Sequence, residues 1–159
     1  MPDAVSILTI EDEVTVQFFL TEALAYAGYE VSTANSAEEA LACLSIEPFA
    51  LVVVDLGLPG LSGLELLSIL RARWPETVPI VLSAHDSRDT AIRALESGAY
   101  DFLSKPCTTA ELRDAVRTAL DGGARRKHRQ QMLALLELDE HATVAAARRT
   151  VVAQSTPAP

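Results

Sequence analysis

The sequence predicts an α/β fold, a doubly wound sheet of five parallel strands with helices on both faces. Three observations predict it. Short runs of β-branched and apolar residues alternate with longer stretches of helical period through residues 1–121. One run, Leu51-Val52-Val53-Val54, lacks polar alternation, as suits a central strand buried on both sides. Glycines and capping residues stand where the helical stretches begin and end.

The elements follow in order. A strand over Val5–Ile10 leads into a helix over about 13–27, which Gly28 closes at the C′ position. A second strand over Tyr29–Thr33 precedes a helix over 37–46. The Ser36 hydroxyl can cap that helix, with Glu39 completing a capping box. The central strand Ala50–Val54 is followed by a helix over 62–73, which ends at Trp74-Pro75. The fourth unit is a strand over Ile80–Ser83 and a helix over 88–97, with Gly98 after it. The fifth is a strand over Asp101–Ser104 and a helix over 109–121, with Thr108 and Glu111 repeating the capping-box pattern. Each strand–helix–strand crossover is expected to be right-handed.

After Asp121 the pattern changes. Gly122-Gly123 is expected to break the fifth helix, and a basic run, Arg125-Arg126-Lys127-His128-Arg129, follows, which reads as a solvated helix start rather than a nucleic-acid patch. The stretch 124–153 can be helical, with an apolar stripe of Met132, Leu135, Leu136, Leu138 and Ala142 that Asp139-Glu140 interrupts. Ser155-Thr156-Pro157-Ala158-Pro159 reads as a frayed end. We therefore divide the chain into a sheet domain over 1–121 and a helical tail or linker over 122–159.

Bulk properties narrow the function classes. The 159 residues carry a net charge of −9. Residues 1–121 hold 7 basic and 19 acidic side chains, a net of −12, while 122–159 hold 6 and 3, a net of +3. An acidic body repels nucleic acid, so DNA is not an expected partner of the sheet domain. No apolar run approaches the ~18 residues of a membrane span. Met1-Pro2-Asp3 has no basic leader pattern, and a cytoplasmic location is expected. Cys43 and Cys107 form no metal or redox spacing.

In an open parallel sheet, chemistry gathers beyond the C-terminal strand ends. Five such positions, on four strands, carry polar or charged groups: Glu11 and Asp12, Asp55, Ser83 and Lys105. Any one of them alone would read as a cap or a solvated charge. Together they make a site. Clustered carboxylates need positive charge to offset their repulsion. Lys105 supplies one. Hard oxygen donors without a His/Cys cluster point to Mg2+, and Mg2+ beside a carboxylate points to phosphoryl chemistry. There is no G-x-x-x-x-G-K-[ST] loop and no G-x-G-x-x-G after the first strand, so a nucleotide lacks its usual cradle.

Four segments then resemble one family. Ile7-Leu8-Thr9-Ile10-Glu11-Asp12-Glu13, Asp55-Leu56-Gly57-Leu58-Pro59-Gly60-Leu61-Ser62-Gly63, Val81-Leu82-Ser83-Ala84 and Gly98-Ala99-Tyr100-Asp101-Phe102-Leu103-Ser104-Lys105-Pro106 are similar to the signature segments of two-component response regulator receiver domains, in order and spacing over about 5–121. The resemblance implies a flavodoxin-like strand order 2-1-3-4-5. It implies Asp55 as the phosphorylated residue, with Ser83 and Lys105 contacting the phosphoryl group. Ser83 and Phe102 would be the switch residues. Mg2+ would be held by Asp12, Asp55, the Gly57 carbonyl and, through water, Glu11. Pro106 is expected in the cis form. Gly57 and His85 would set the lifetime of the acyl phosphate.

The resemblance also implies the partners: a sensor histidine kinase or phosphotransfer protein upstream, and a protein target downstream. Such a domain is not an enzyme on external substrates and catalyses only its own phosphorylation and dephosphorylation. A phosphatase with an aspartyl-phosphate intermediate would usually carry a second acid two residues after the nucleophile, where Gly57 stands. A transcription regulator is the alternative, its basic tail contributing to DNA binding. Val144-Ala145-Ala146-Ala147-Arg148-Arg149 is faintly similar to the first helix of a Fis-like helix-turn-helix, but no recognition helix follows. The tail is expected to dock on the face of the fourth helix, fifth strand and fifth helix, or to pair with a second copy on phosphorylation.

Overall fold

Apolar side chains that alternate along the strands divide into two sets, one for each face of a single sheet. The computed structural model describes residues 4–155. Expectations placed on Met1-Pro2-Asp3 and on Thr156-Pro157-Ala158-Pro159 lie outside the described residues. Five strands, β1 (Ser6–Ile10), β2 (Glu30–Ala34), β3 (Leu51–Val54), β4 (Val78–Ser83) and β5 (Phe102–Ser104), pair in the order β2-β1-β3-β4-β5, all parallel. The helices are α1 (Val14–Tyr26), α2 (Ala37–Ile46), α3 (Gly63–Arg73), α4 (Arg88–Glu96), α5 (Thr109–Leu120), α6 (Gly122–Leu138) and α7 (Val144–Ser155). The fold class and strand order are those the sequence predicts.

On one face Ile7, Leu51, Val53, Ile80, Leu82 and Leu103 pack with α1 and α5. On the other, Leu8, Val52, Val54, Val81 and Phe102 pack with α2, α3 and α4. Each strand residue changes face from its neighbour, the two-residue period of a strand. All four residues of β3 are buried, the double coverage that an unbroken apolar run requires. Pro79 sits in β4 without a ladder donor. Its nitrogen falls on the β5 side of the strand, where pairing begins only at Val81, so no ladder bond is lost.

Local signals hold at most helix ends. Ser36, Ser62, Ser87 and Thr108 each accept a hydrogen bond from the backbone N–H three residues on. Thr108 and Glu111 form a full capping box. At α2 the box is displaced: Glu39 accepts from the Asn35 N–H at 3.2 Å rather than from Ser36. Gly28 and Gly98 adopt φ of +99° and +125°, which favour glycine.

The tail departs from expectation in three ways. The break after α5 falls at Asp121, whose extended backbone and carboxylate cap α6. Gly122 and Gly123 are the first residues of α6 and do not end α5. The predicted stripe is only partly right: Met132 and Leu136 are fully buried, but Leu138 is 84% exposed. The basic run is not a uniformly solvated helix start. Arg126 and Lys127 are exposed, but His128 is buried, Arg129 donates to the Leu95 carbonyl, and Arg125 stacks on Tyr100. The tail docks where expected: α6 packs on α4 and α5, and α7 on β5.

Candidate functional site

Parallel strands align their C-terminal ends, so the loops after β1, β3, β4 and β5 meet at one edge. The five predicted residues lie there. Glu11, Asp12 and Asp55 bring carboxylate oxygens within 4.8 Å of one another. Asp55 is 6% exposed and Glu11 1%, while Asp12 faces solvent. Lys105 Nζ lies 2.7 Å from Glu11 Oε2 and 3.3 Å from Asp55 Oδ2, so one cation offsets two buried carboxylates. Glu13, which the sequence reading left out, lies 3.9 Å from the same ammonium at the exposed rim.

Backbone donors and loop geometry fix these groups. Asp55 Oδ1 accepts from the Gly57 N–H at 3.1 Å, and Glu11 Oε1 from the Glu13 N–H at 3.0 Å. Gln17 was also missed. Its amide donates to the Glu11 and Ala34 carbonyls, pinning the β1–α1 turn to β2. The loop after β3 closes tightly on α3: a Cβ on Gly63 would lie 2.6 Å from Leu56 Cα and 2.7 Å from the Asp55 carbonyl. Only glycine fits there.

Burial raises the Glu11 carboxyl above its ordinary range, although Lys105 and the Glu13 N–H work against it. Burial also opposes the charged form of Lys105, but its pairing with Glu11 and Asp55 prevails and raises the ammonium above its ordinary value. Lys105 is therefore a fixed positive charge at neutral pH. Burial first, and then the charge of Glu111, push the Cys107 thiol up to about 11. It is held in the protonated form at neutral pH, which disfavours the nucleophilic thiolate.

Ser83 is fully buried at the end of β4, and its Oγ accepts from the His85 N–H at 3.1 Å. The His85 ring stands over Gly57: a Cβ there would lie 2.9 Å from His85 Nε2. The Lys105-Pro106 bond is cis. Phe102 is fully buried in the cluster that also holds Met132, Leu136 and Val144 of the tail.

Residues 7–117 match the family model described as response regulator receiver domain. The chain belongs to the receiver domain family. It is 39% identical over 113 residues to the response regulator protein PilR of Pseudomonas aeruginosa, covering 71% of this chain and 25% of that protein. Among solved structures, it is similar to the receiver domain of NtrX from Brucella abortus, with a TM-score of 0.70, 35% identity, and coverage of 73% of this chain and 98% of that one. A CheY-like receiver domain protein from Methanospirillum hungatei gives a TM-score of 0.73 at 27% identity, covering 78% and 98%. The chain spans about a quarter of the length of PilR. The receiver domain is a signalling module of two-component systems. Among the described residues, no helix is long and apolar enough to cross a membrane.

Proposed function

We propose that this chain is a phosphorylation-dependent switch of a two-component system, with Asp55 as phosphoacceptor. The observation that carries the reading is the ammonium of Lys105 set between two buried carboxylates, Asp55 and Glu11, with Asp12 beside them.

Asp55 Oδ attacks the phosphorus of a phosphohistidine on a histidine kinase or phosphotransfer protein. The P–N bond breaks, the imidazole leaves, and an acyl phosphate forms. Lys105, which pairs with Asp55, and the Ser83 hydroxyl would meet the phosphoryl oxygens as negative charge builds on them. Water later attacks the acyl phosphate and releases inorganic phosphate. His85 over Gly57 and the missing side chain at Gly57 govern its approach. The donor protein has room beside the site, in a groove of about 490 Å3 between Val16 and Phe19 of α1 and the Lys105-Pro106-Cys107 loop. All of this takes place in the cytoplasm, with no catalysis on an external substrate.

The donor set fits Mg2+. Three carboxylates within 4.8 Å and no His or Cys are hard oxygen ligands suited to a small divalent cation. Asp12, Asp55 and the Gly57 carbonyl would hold it, with Glu11 acting through water. Bound there, it would neutralise charge on the transferring group. Asp12→Ala is expected to weaken Mg2+ binding at least tenfold and leave the thermal midpoint within a few degrees, since Asp12 is exposed and outside the core. A calorimetric titration with unchanged Mg2+ affinity would remove Asp12 from the ligand set.

Incubation with Mg2+ and acetyl phosphate tests the function. Intact-mass spectrometry should find one added phosphate that hydroxylamine removes and that chelation of Mg2+ prevents. No added mass under these conditions contradicts the reading. DNA binding by the tail has less support, because Arg125, Arg129 and Arg148 are engaged within the chain.

A further inference from the structure

The face formed by α4, β5 and α5 is covered by the chain's own tail, and the cover is held by more than apolar contact. Met132, Leu136, Val144, Ala147 and Val151 complete the cluster that holds Ala91, Leu95 and Phe102. Two arginines tie α6 to α4 reciprocally. Arg88, at the start of α4, donates to the Leu136, Glu137 and Asp139 carbonyls at the end of α6. Arg129 of α6 donates through Nε and Nη2 to the Leu95 carbonyl at the end of α4, at 3.0 and 2.7 Å. Each helix thus receives a cation at its negative C-terminal end from the other.

The deepest contact lies under α7. Asp101, 2% exposed, accepts a two-pronged bond from Arg148, with Nε at 3.1 Å and Nη2 at 2.7 Å. His128 Nε2 of α6 lies 2.8 Å from Asp101 Oδ1 without the alignment of a hydrogen bond. Asp101 Oδ1 also accepts from the N–H of Phe102, at 2.8 Å. One carboxylate therefore joins α6, α7 and the backbone of β5. Four residues after Asp101, at the end of β5, Lys105 pairs with Asp55.

We infer that α6–α7 is an autoinhibitory cover, latched through Asp101–Arg148, that phosphorylation of Asp55 loosens. The inference rests on the reading of Asp55 as phosphoacceptor. In the docked state, Lys105 divides its charge between Glu11 and Asp55. A phosphoryl group on Asp55 adds oxygens and negative charge that draw Lys105 and the Ser83 hydroxyl toward them. Both pulls act on the ends of β4 and β5, which are directly paired at Ser83 and Ser104. A bidentate guanidinium–carboxylate pair is specific in geometry and tolerates displacement of β5 poorly. The latch therefore loses hold when β5, which Asp101 directly precedes, shifts, and the apolar face around Phe102 opens for a downstream protein. Coupling is reciprocal: a cover loosened by the phosphoryl group must, while docked, weaken binding of that group by the same factor.

Hydrogen exchange on the full chain, with Mg2+ and beryllium fluoride as a noncovalent stand-in for the phosphoryl group, tests this. Amides of 144–154 are expected to exchange at least tenfold faster when the site is filled, while β1 and β3 are unchanged. Arg148→Gln should show that fast exchange with and without the mimic, and Arg148→Lys an intermediate rate. By reciprocity, fluorine NMR titration should find the mimic bound more tightly by Arg148→Gln than by the parent chain. Equal or slower exchange of 144–154 in the filled parent chain overturns the cover, and so does equal affinity of the two proteins for the mimic. Treating a second sample, free of the mimic, with Mg2+ and acetyl phosphate separates the two readings. If phosphate adds to Asp55 and α7 does not loosen, only the cover fails. If neither phosphate nor the mimic binds, the phosphoacceptor reading fails and takes the cover with it.

Discussion

Asp55→Asn is expected to abolish phosphate incorporation while leaving the fold intact. The amide has nearly the shape of the carboxylate, and its oxygen can still accept from the Gly57 N–H that now bonds Oδ1. What it lacks is the anionic oxygen that would attack phosphorus in the proposed reaction. Lys105 keeps its shorter contact, 2.7 Å to Glu11, so the ammonium is not left unpaired. Removing one of three clustered carboxylates also relieves mutual repulsion. The variant should therefore melt at the parent temperature or slightly above it, a gain of at most about 1 kcal/mol for a partly screened cluster. Intact-mass spectrometry and a thermal melt read the two outcomes. A labelled Asn variant would assign the phosphate to another residue.

Asp101→Ala is expected to have the largest effect on stability. It leaves Arg148 buried without its partner, removes the acceptor of the Phe102 N–H and takes away the carboxylate that faces His128. Breaking a buried pair on one side costs about 3–5 kcal/mol. Undocking of the tail would let Arg148 reach water and cap the loss at the docking energy. Urea denaturation and exchange of the α7 amides should both register it.

The pH dependence has a definite sign. Burial alone would raise the Asp101 carboxyl, but the charge of Arg148 and the contact with His128 outweigh it and bring the group from 3.8 to about 2. A carboxyl depressed in the folded state contributes stability above its unfolded value and loses it as the pH falls through the folded one. Burial opposes the charge of Arg148, yet Asp101 raises it above its ordinary value, so the guanidinium stays charged throughout this window. The stability difference between the parent chain and Asp101→Ala should be level above pH 3.8 and shrink as the pH falls toward about 2. A difference that already declines near neutral pH would mean that another group controls the latch.

Much of this molecule was legible along the chain, because the deciding interactions are local. Whether Thr108 caps α5 is settled within four residues, and whether Leu51–Val54 is a central strand by the absence of polar alternation. The cluster of Glu11, Asp12, Asp55, Ser83 and Lys105 could be anticipated despite its long separations in sequence. A parallel sheet must bring the C-terminal ends of its strands to one edge, so residues at those ends converge once the strands are recognised. Glu13, which stands in the first signature segment, was given no role and Gln17 escaped notice, because nothing in their spacing distinguishes them from other polar residues at the start of a helix.

The tail is the opposite case. Its helices could be expected from composition, and even its docking face from where α5 ends, but not which side chains turn inward. Leu138 continues the apolar spacing and is exposed, while His128 and Arg148 belong to basic stretches and are buried. Asp101 was read as the polar start of a strand, with no sign of a partner 47 residues further on. Period and capping report what a segment can form by itself. The partner of a buried charge is chosen when the segments pack, because only the assembled surface excludes water and makes an unpaired charge costly. The sequence by itself therefore determined the sheet and the acidic edge where the strands end, and its resemblance to a family implied the strand order. Only the tertiary structure decided that the basic tail turns its arginines inward and closes over Phe102.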